Sequence, residues 1–382
     1  MRAVLSRRFL RTSVCALSLV VLAACSSTDT RYDPAPLGEY SNTITSNVLW
    51  SVSLGSGSDV GFAPALVGSD VYAAVPSGQV HKVDLGSGRV MWSANAGKRL
   101  TAGVGSDGLV TAVVTADGDV VAYDDAGQEI WRTRASSAVT IPPAVGEGVV
   151  VVRASDYRIQ AFNARNGELL WSVQRPGPAL SLKTGMQMRI VDGMLLTGMP
   201  NGRLMAINTQ TGGVVWEGSV SVSQGATDLE RINDVVGAPQ VQDPLLCGAT
   251  YQGRVVCFDV QQGGVPLWDR KISAVSGPVS DSHLLYIANS RDKIEALALV
   301  NGQTVWEQDG LRNRRLATMA VTPRVLAAGD YQGYVHFLSR IDGKLEGRLS
   351  VGGGPIVSPL LGTDRGVLVQ TGNGNLVLVG IN

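Results

Sequence analysis

The stretch Asn201-Gly202-Arg203-Leu204-Met205-Ala206-Ile207-Asn208-Thr209-Gln210-Thr211-Gly212-Gly213-Val214-Val215-Trp216 decides the fold. It reads as turn, strand, turn and strand onset closed by a tryptophan, and the same grammar recurs along the chain. Residues 77–92 carry Asp84, Gly88 and Trp92 in the matching places, and residues 156–171 carry Asn163, Gly167 and Trp171. Segment 117–131 is one residue shorter, 252–268 is one longer, and 291–306 keeps the length with Ala298 in the Asp or Asn position. A further copy, 332–347, has Asp342-Gly343 in the turn and Gly347 where the tryptophan should stand.

Each copy is preceded by two short runs rich in Val, Leu and Ala, such as 64–67 and 71–74, so one repeat supplies four strands separated by Gly, Asp and Ser turns. A four-stranded unit cannot bury both faces alone, so the units stack radially as propeller blades, with each tryptophan packed on a neighbouring sheet. All seven tryptophans, at 50, 92, 131, 171, 216, 268 and 306, fall on this grid. After Gly347 the chain offers three strand-like runs (356–361, 366–370 and 376–379) and no outer strand, while Val48-Leu49-Trp50-Ser51-Val52 is an outer strand lacking its first three. Joining them removes both exposed sheet edges. The prediction is an all-β, eight-bladed β-propeller with four-stranded antiparallel blades, its ring closed by an N-terminal strand that completes the last blade.

Before the propeller lies a different kind of sequence. Arg2, Arg7, Arg8 and Arg11 followed by the apolar 14–22 form an export signal, too short to span a bilayer. Leu22-Ala23-Ala24-Cys25 resembles the lipobox of bacterial lipoproteins, with Cys25 as the lipidated first residue of the mature chain; an ordinary secretory cleavage near Ala24 is the alternative. Ser26 in place of an aspartate retention signal points to the outer membrane. The expected layout is therefore a lipoprotein signal peptide (1–24), a lipidated cysteine with a flexible tether (25–47), and a single propeller domain (48–382).

Composition narrows the chemistry. With 32 basic and 32 acidic residues and no long run of either sign, the chain lacks the electrostatic footprint of a nucleic-acid binder. His81, His283 and His336 stand at no metal-ligand spacing and read as surface or satisfied strand residues. Gly103-Val104-Gly105-Ser106-Asp107-Gly108 matches a dinucleotide glycine pattern formally, but no helix follows it and it reads as turn chemistry. Asp117 and Asp119 read as hairpin-turn residues, because sister repeats hold Asn201 and Arg203 there. Cys247 and Cys257 flank one turn and are either a cross-strand disulfide or two small buried residues. No catalytic, cofactor-binding or metal-binding motif emerges.

A repeat protein shows its function where it departs from its period. The tryptophan spacings are 42, 39, 40, 45, 52 and 38, so the two long intervals carry insertions. Both insertions follow a tryptophan and precede the next blade's first strand, which places them side by side on one face of the ring as a candidate binding surface. The first contains Arg175-Pro176-Gly177-Pro178-Ala179-Leu180-Ser181-Leu182-Lys183. The second, 227–236, is charged and reads as a short helix, and the basic segment 311–315 reads as a solvated loop.

The lipobox, the Asp-x-x-x-Gly-x-x-x-Trp repeats, the eight blades and the two insertions together resemble the BamB family, lipoproteins of the bacterial outer-membrane β-barrel assembly (BAM) machinery; the resemblance covers essentially the whole chain. It implies a non-catalytic scaffold without cofactors, lipid-anchored in the outer membrane and facing the periplasm. The implied partners are a periplasmic POTRA domain of BamA and other complex subunits; strand pairing at a blade edge is a separate conjecture that would add unfolded outer-membrane proteins. The family's Leu-x-Leu-Arg segment matches Leu180, Leu182 and Lys183; its acidic segment matches Arg231 and Asp234, with Val236 where a second aspartate is expected. The repeats also resemble those of quinoprotein dehydrogenases, propellers that hold pyrroloquinoline quinone (PQQ) and calcium, although this chain has no adjacent cysteines and commits every tryptophan to the repeat position. A generic lipid-anchored binding propeller shares the fold and differs in its partner.

Overall fold

The computed structural model of the protein describes residues 30–40 and 42–382. The lipidation position Cys25 and the signal segment 1–24 lie outside the described residues. The chain divides into two compact units, Met1–Pro34 and Ala35–Asn382. The described part of the first contains a 3-10 turn, Thr30–Tyr32.

The second unit is eight four-stranded sheets. In chain order the first seven blades are 65–95, 100–134, 144–174, 189–219, 235–270, 279–308 and 320–350. Within each blade successive strands are antiparallel neighbours, and the first strands of adjacent blades approach one another around the axis. The second and third strands are buried along nearly their whole length, as in Val149–Arg153, whereas the fourth alternates, as in Leu169–Gln174. A strand covered on both faces is continuously apolar and an outer strand with one wet face alternates, which is what the sequences of these strands show.

The eighth blade closes the ring as predicted. Ser46–Ser53 pairs antiparallel with Asn375–Ile381, from Ser46 opposite Ile381 to Ser53 opposite Asn375, with one irregularity between Val48 and Trp50. The inner strand, Leu361–Thr363, starts later than the apolar run beginning at Ile356 suggests, and Ile356 makes only an isolated bridge to Thr371. Residues 35–40 and 42–45, assigned above to the tether, are docked. Ala35 N donates to Arg312 O (2.8 Å), Thr43 N to Glu346 O (3.1 Å), and Tyr40 lies 5.0 Å from the Arg348 guanidinium.

The repeat motif has one physical purpose. Each turn glycine between third and fourth strands is left-handed, with φ from +68° to +80° at Gly88, Gly127, Gly167, Gly212, Gly264, Gly302 and Gly343. Each lies against the tryptophan of the preceding blade, so closely that a Cβ on Gly88 would meet Trp50 at 2.7 Å and one on Gly167 would meet Trp131 at 2.8 Å. Glycine is required twice over, for φ and for contact. In six of the seven the indole N–H then donates to a carbonyl beside the same turn, as from Trp131 to Ala164 O (2.8 Å) and from Trp171 to Thr209 O (2.7 Å). Truncating such a tryptophan would cost roughly 3–5 kcal/mol.

This interlock also explains the missing eighth tryptophan. Gly347 faces the eighth blade, where third and fourth strands belong to opposite ends of the chain and no turn glycine exists to receive an indole. Ile44 fills the place, near the Gly347 Cα and packed with Phe337.

Candidate functional site

The connections from the fourth strand of one blade to the first of the next share a face with the turns between second and third strands. The two insertions, 175–188 and 220–234, emerge there from blades 3 and 4. Pro176 and Pro178 lack amide donors, which disfavours regular pairing in the first loop. Gly177 instead lies on the Tyr157 ring, where a Cβ would come within 2.0 Å, and Tyr157 Oη donates to Pro178 O (2.8 Å). The loop returns to the core through Met186 and Met188, buried with Ile141 and Ile159.

In the second loop the sequence reading requires correction: 227–231 is a turn and not a helix. Glu230 folds back to accept the amides of Ala226 (2.8 Å) and Thr227 (3.1 Å), and its own amide donates to the Thr227 hydroxyl (3.3 Å), a reciprocal cap of the kind that opens helices, but the chain turns into blade 5 before a helix follows. Those amides, with the Thr227 hydroxyl, hold the Glu230 carboxyl below its ordinary pKa. The loop re-enters blade 5 through buried Ile232 and Val235. Val236, which stands where the family pattern has an aspartate, is also buried and packs with Leu245 and Cys247, a setting in which a carboxylate would lack solvation.

Asp234 joins the two loops. Its side chain is 4% exposed, and Oδ2 accepts the Leu182 amide, so a residue of the second insertion fixes the backbone of the first. Burial pushes its carboxyl up to about 6, against the opposing pull of the Leu182 amide and the Arg153 charge. Arg153, Tyr157, Asp234 and Thr184 line a cavity of about 80 Å³ beneath the loop. Lys183 forms an ion pair with Asp59, in the segment leading into blade 1, so the loop reaches towards the ring axis. There Leu182 and Gly185 border a mouth of about 480 Å³ that is also lined by Val60, Leu316 and Ile356.

The structure thus sorts the residues singled out from sequence. Leu180 is 44% exposed and Leu182 half-buried; Arg231 is exposed, with Nε donating to Gly225 O (3.1 Å). Leu229 and Val222, which the sequence reading passed over, are exposed on the second loop. Lys183 and Asp234 each hold a partner within the chain, Asp59 and the Leu182 amide.

Two other expectations change. Segment 311–315 is not simply a solvated loop: Arg314 is 2% exposed, its guanidinium bonded to Asp330 (2.8 Å), to Gln332 and to Ala35 O (2.7 Å). Burial opposes ionisation of Asp330, but the bonds from His336, the Tyr334 amide and Arg314 outweigh it and leave the carboxyl below its ordinary pKa. In the glycine-rich segment, 103–106 lies within the strand Leu100–Ser106 and only its end is turn. Cys247 and Cys257, directly opposed on neighbouring strands, form a disulfide. Among the described residues no three His, Cys, Asp or Glu side chains gather as a metal site.

A family profile for the outer membrane protein assembly factor BamB matches residues 76–308. The chain is 52% identical over 375 residues to that factor of Bordetella pertussis, covering 97% of each chain, and 37% identical over 372 residues to that of Burkholderia pseudomallei, covering 96% of this chain and 97% of the other. Its fold is similar to the crystal structure of BamB from Moraxella catarrhalis (TM-score 0.81, 23% identity, 88% of this chain and 100% of that one). It is also similar in fold, at 14% identity, to a quinohemoprotein alcohol dehydrogenase from Comamonas testosteroni (TM-score 0.67, 89% of this chain and 77% of that one). With the interlocked ring and with relatives aligned along nearly its full length, the chain belongs to the BamB family of outer membrane protein assembly factors.

Proposed function

We propose that this protein is a non-catalytic scaffold, lipid-anchored at Cys25 in the outer membrane and facing the periplasm, whose loops 175–188 and 220–234 dock a POTRA domain of BamA. The observation that carries the reading is the Asp234–Leu182 bond, which makes one surface of two insertions from neighbouring blades. On that surface Leu180, Leu229 and Val222 are exposed on loops held by a rigid ring, the arrangement expected of an apolar anchor for a partner. Arg231 at the rim supplies orientation. The relatives' name as assembly factors supports the same role. Anchoring confines the scaffold to the membrane surface and raises its effective concentration near the other subunits.

A pull-down from detergent-solubilised membranes tests this, comparing wild type with a Leu180→Ala, Leu229→Ala variant that keeps its β-type circular dichroism. Capture of a large barrel protein with periplasmic domains by wild type, and its loss from the variant, is the expected result. Equal capture by both moves the docking surface elsewhere. No capture by either sinks the scaffold reading and makes a PQQ-binding assay the next step.

A further inference from the structure

The turns between second and third strands are nearly identical in seven blades, each closed by an amide bonded three residues back: Gly78, Gly118, Tyr157, Gly202, Asp292, Gly333 and Gly374. All seven closing residues have positive φ, between +61° and +102°. Five are glycine, which takes this conformation freely; Tyr157 (φ +63°) and Asp292 (φ +61°) hold it against the steric preference of an L side chain. In blade 5 the bond from the Thr250 amide to Arg254 O aligns Gly253 with the closing position, and the positive φ falls one residue earlier, at Gln252 (+50°).

Each of these three exceptions reaches up to an inter-blade connection. Tyr157 seats Gly177 on its ring and bonds Pro178 O (2.8 Å). Gln252, with its amide nitrogen turned towards the second insertion, donates to Glu230 O (3.1 Å) and Ile232 O (3.2 Å). Asp292 accepts the amides of Arg315 (2.6 Å) and Leu316 (3.0 Å). A strained residue persists where its surroundings use it, and here the strained side chains coincide with loops that need holding.

We infer that Tyr157 and Gln252 are positioning residues of the docking face, each holding one insertion in its binding shape from a turn residue of positive φ, and Tyr157 does so from the position that most sister blades give to glycine. The inference rests on the preceding reading of that face. A loop already ordered loses less freedom when a partner binds, so the effect lies in affinity without a new contact. In the first insertion the bond that the Leu182 amide donates to Asp234 completes the hold that Tyr157 begins five residues earlier, at Gly177.

The test removes each side chain in favour of the residue that suits a left-handed backbone: Tyr157→Gly, which is also the sister blades' own residue, and Gln252→Gly, in the full chain, with Tyr157→Phe keeping the ring under Gly177. Relief of backbone strain opposes the lost side-chain contacts, so melting temperatures stay within a few degrees of wild type. Amide hydrogen exchange in the free protein is expected to rise over 179–183 in Tyr157→Gly and over 226–234 in Gln252→Gly. Affinity for the isolated POTRA region of BamA is expected to fall roughly tenfold in each. In a Leu180→Ala background the Tyr157→Gly loss should largely vanish, since an unneeded leucine needs no positioning. Unchanged exchange overturns the inference alone, as does faster exchange with wild-type affinity. A lowered melting temperature without a local rise in exchange assigns Tyr157 to blade packing and overturns it as well. If wild type shows no POTRA affinity, the docking reading falls and takes the inference with it.

Discussion

Adding one methyl group at Gly167 should measure the blade interlock directly. Gly167→Ala meets two penalties. Its φ of +73° is costly for any L residue, by about 1–2 kcal/mol, and its Cβ would lie 2.8 Å from two carbons of the Trp131 ring. That ring cannot easily withdraw, because its N–H is bonded to Ala164 O at 2.8 Å and it packs with Phe162. Overpacking of this kind adds about 1–3 kcal/mol. Gly148, in the same blade, has φ +80° and nothing within 4 Å of its would-be Cβ, so Gly148→Ala suffers the first penalty alone. Urea unfolding followed by circular dichroism should therefore give a loss of about 1–2 kcal/mol for Gly148→Ala and about 2–5 kcal/mol for Gly167→Ala. In a Trp131→Ala background the added loss from Gly167→Ala should return to about 1–2 kcal/mol. Equal losses from the two glycine variants, or no change in that background, would refute the interlock as the reason for the repeat.

Further predictions address the buried charges. The Asp234 carboxyl titrates near about 6 in the folded chain against an ordinary 3.8, so the native state keeps a proton that the unfolded chain has released. Stability should fall as pH rises from about 4 to about 6, by roughly 3 kcal/mol for this group, and Asp234→Asn should flatten that slope in urea midpoints taken at both ends. A slope unchanged in the variant would show that Asp234 titrates normally. Arg314→Ala leaves Asp330 buried beside His336 with its guanidinium partner gone, a loss of about 3–5 kcal/mol, and limited proteolysis should then cut within 35–45. Lys183→Ala removes a partly exposed ion pair with Asp59 and should lower stability by less than about 1 kcal/mol at low salt, with the difference shrinking as salt is added.

The ring was legible in the sequence because its rule is local and repeated. An Asp or Asn turn, a glycine four residues on and a tryptophan four further describe one hairpin, and Trp50 without its own blade revealed the closure. The insertions were legible for the converse reason, as breaks in a period. What could not be read depends on contacts between distant segments. Asp234 and Arg314 look like surface charges until the first loop covers one and the segment at Ala35 covers the other. Residues 35–45 have the composition of a tether, and their seat is made by distant segments, the connection at Arg312 and Arg314 and the outer strand of blade 7. Tyr157 was missed although a signal existed: aligning the repeats on these turns sets it against glycine in six sister blades.

The closure of the ring also fixes an order in time. Ser46–Ser53 is among the first parts of the propeller to be synthesised, and its hydrogen-bonding partner, Asn375–Ile381, is the last, more than 300 residues later. Until that partner arrives, Val48, Leu49 and Trp50 are an apolar segment without its native neighbour. The seven other blades need only contacts along a short stretch of chain, so closure between the two ends is the contact of greatest sequence separation and must come late, and until then those few residues have to be kept from pairing with anything else.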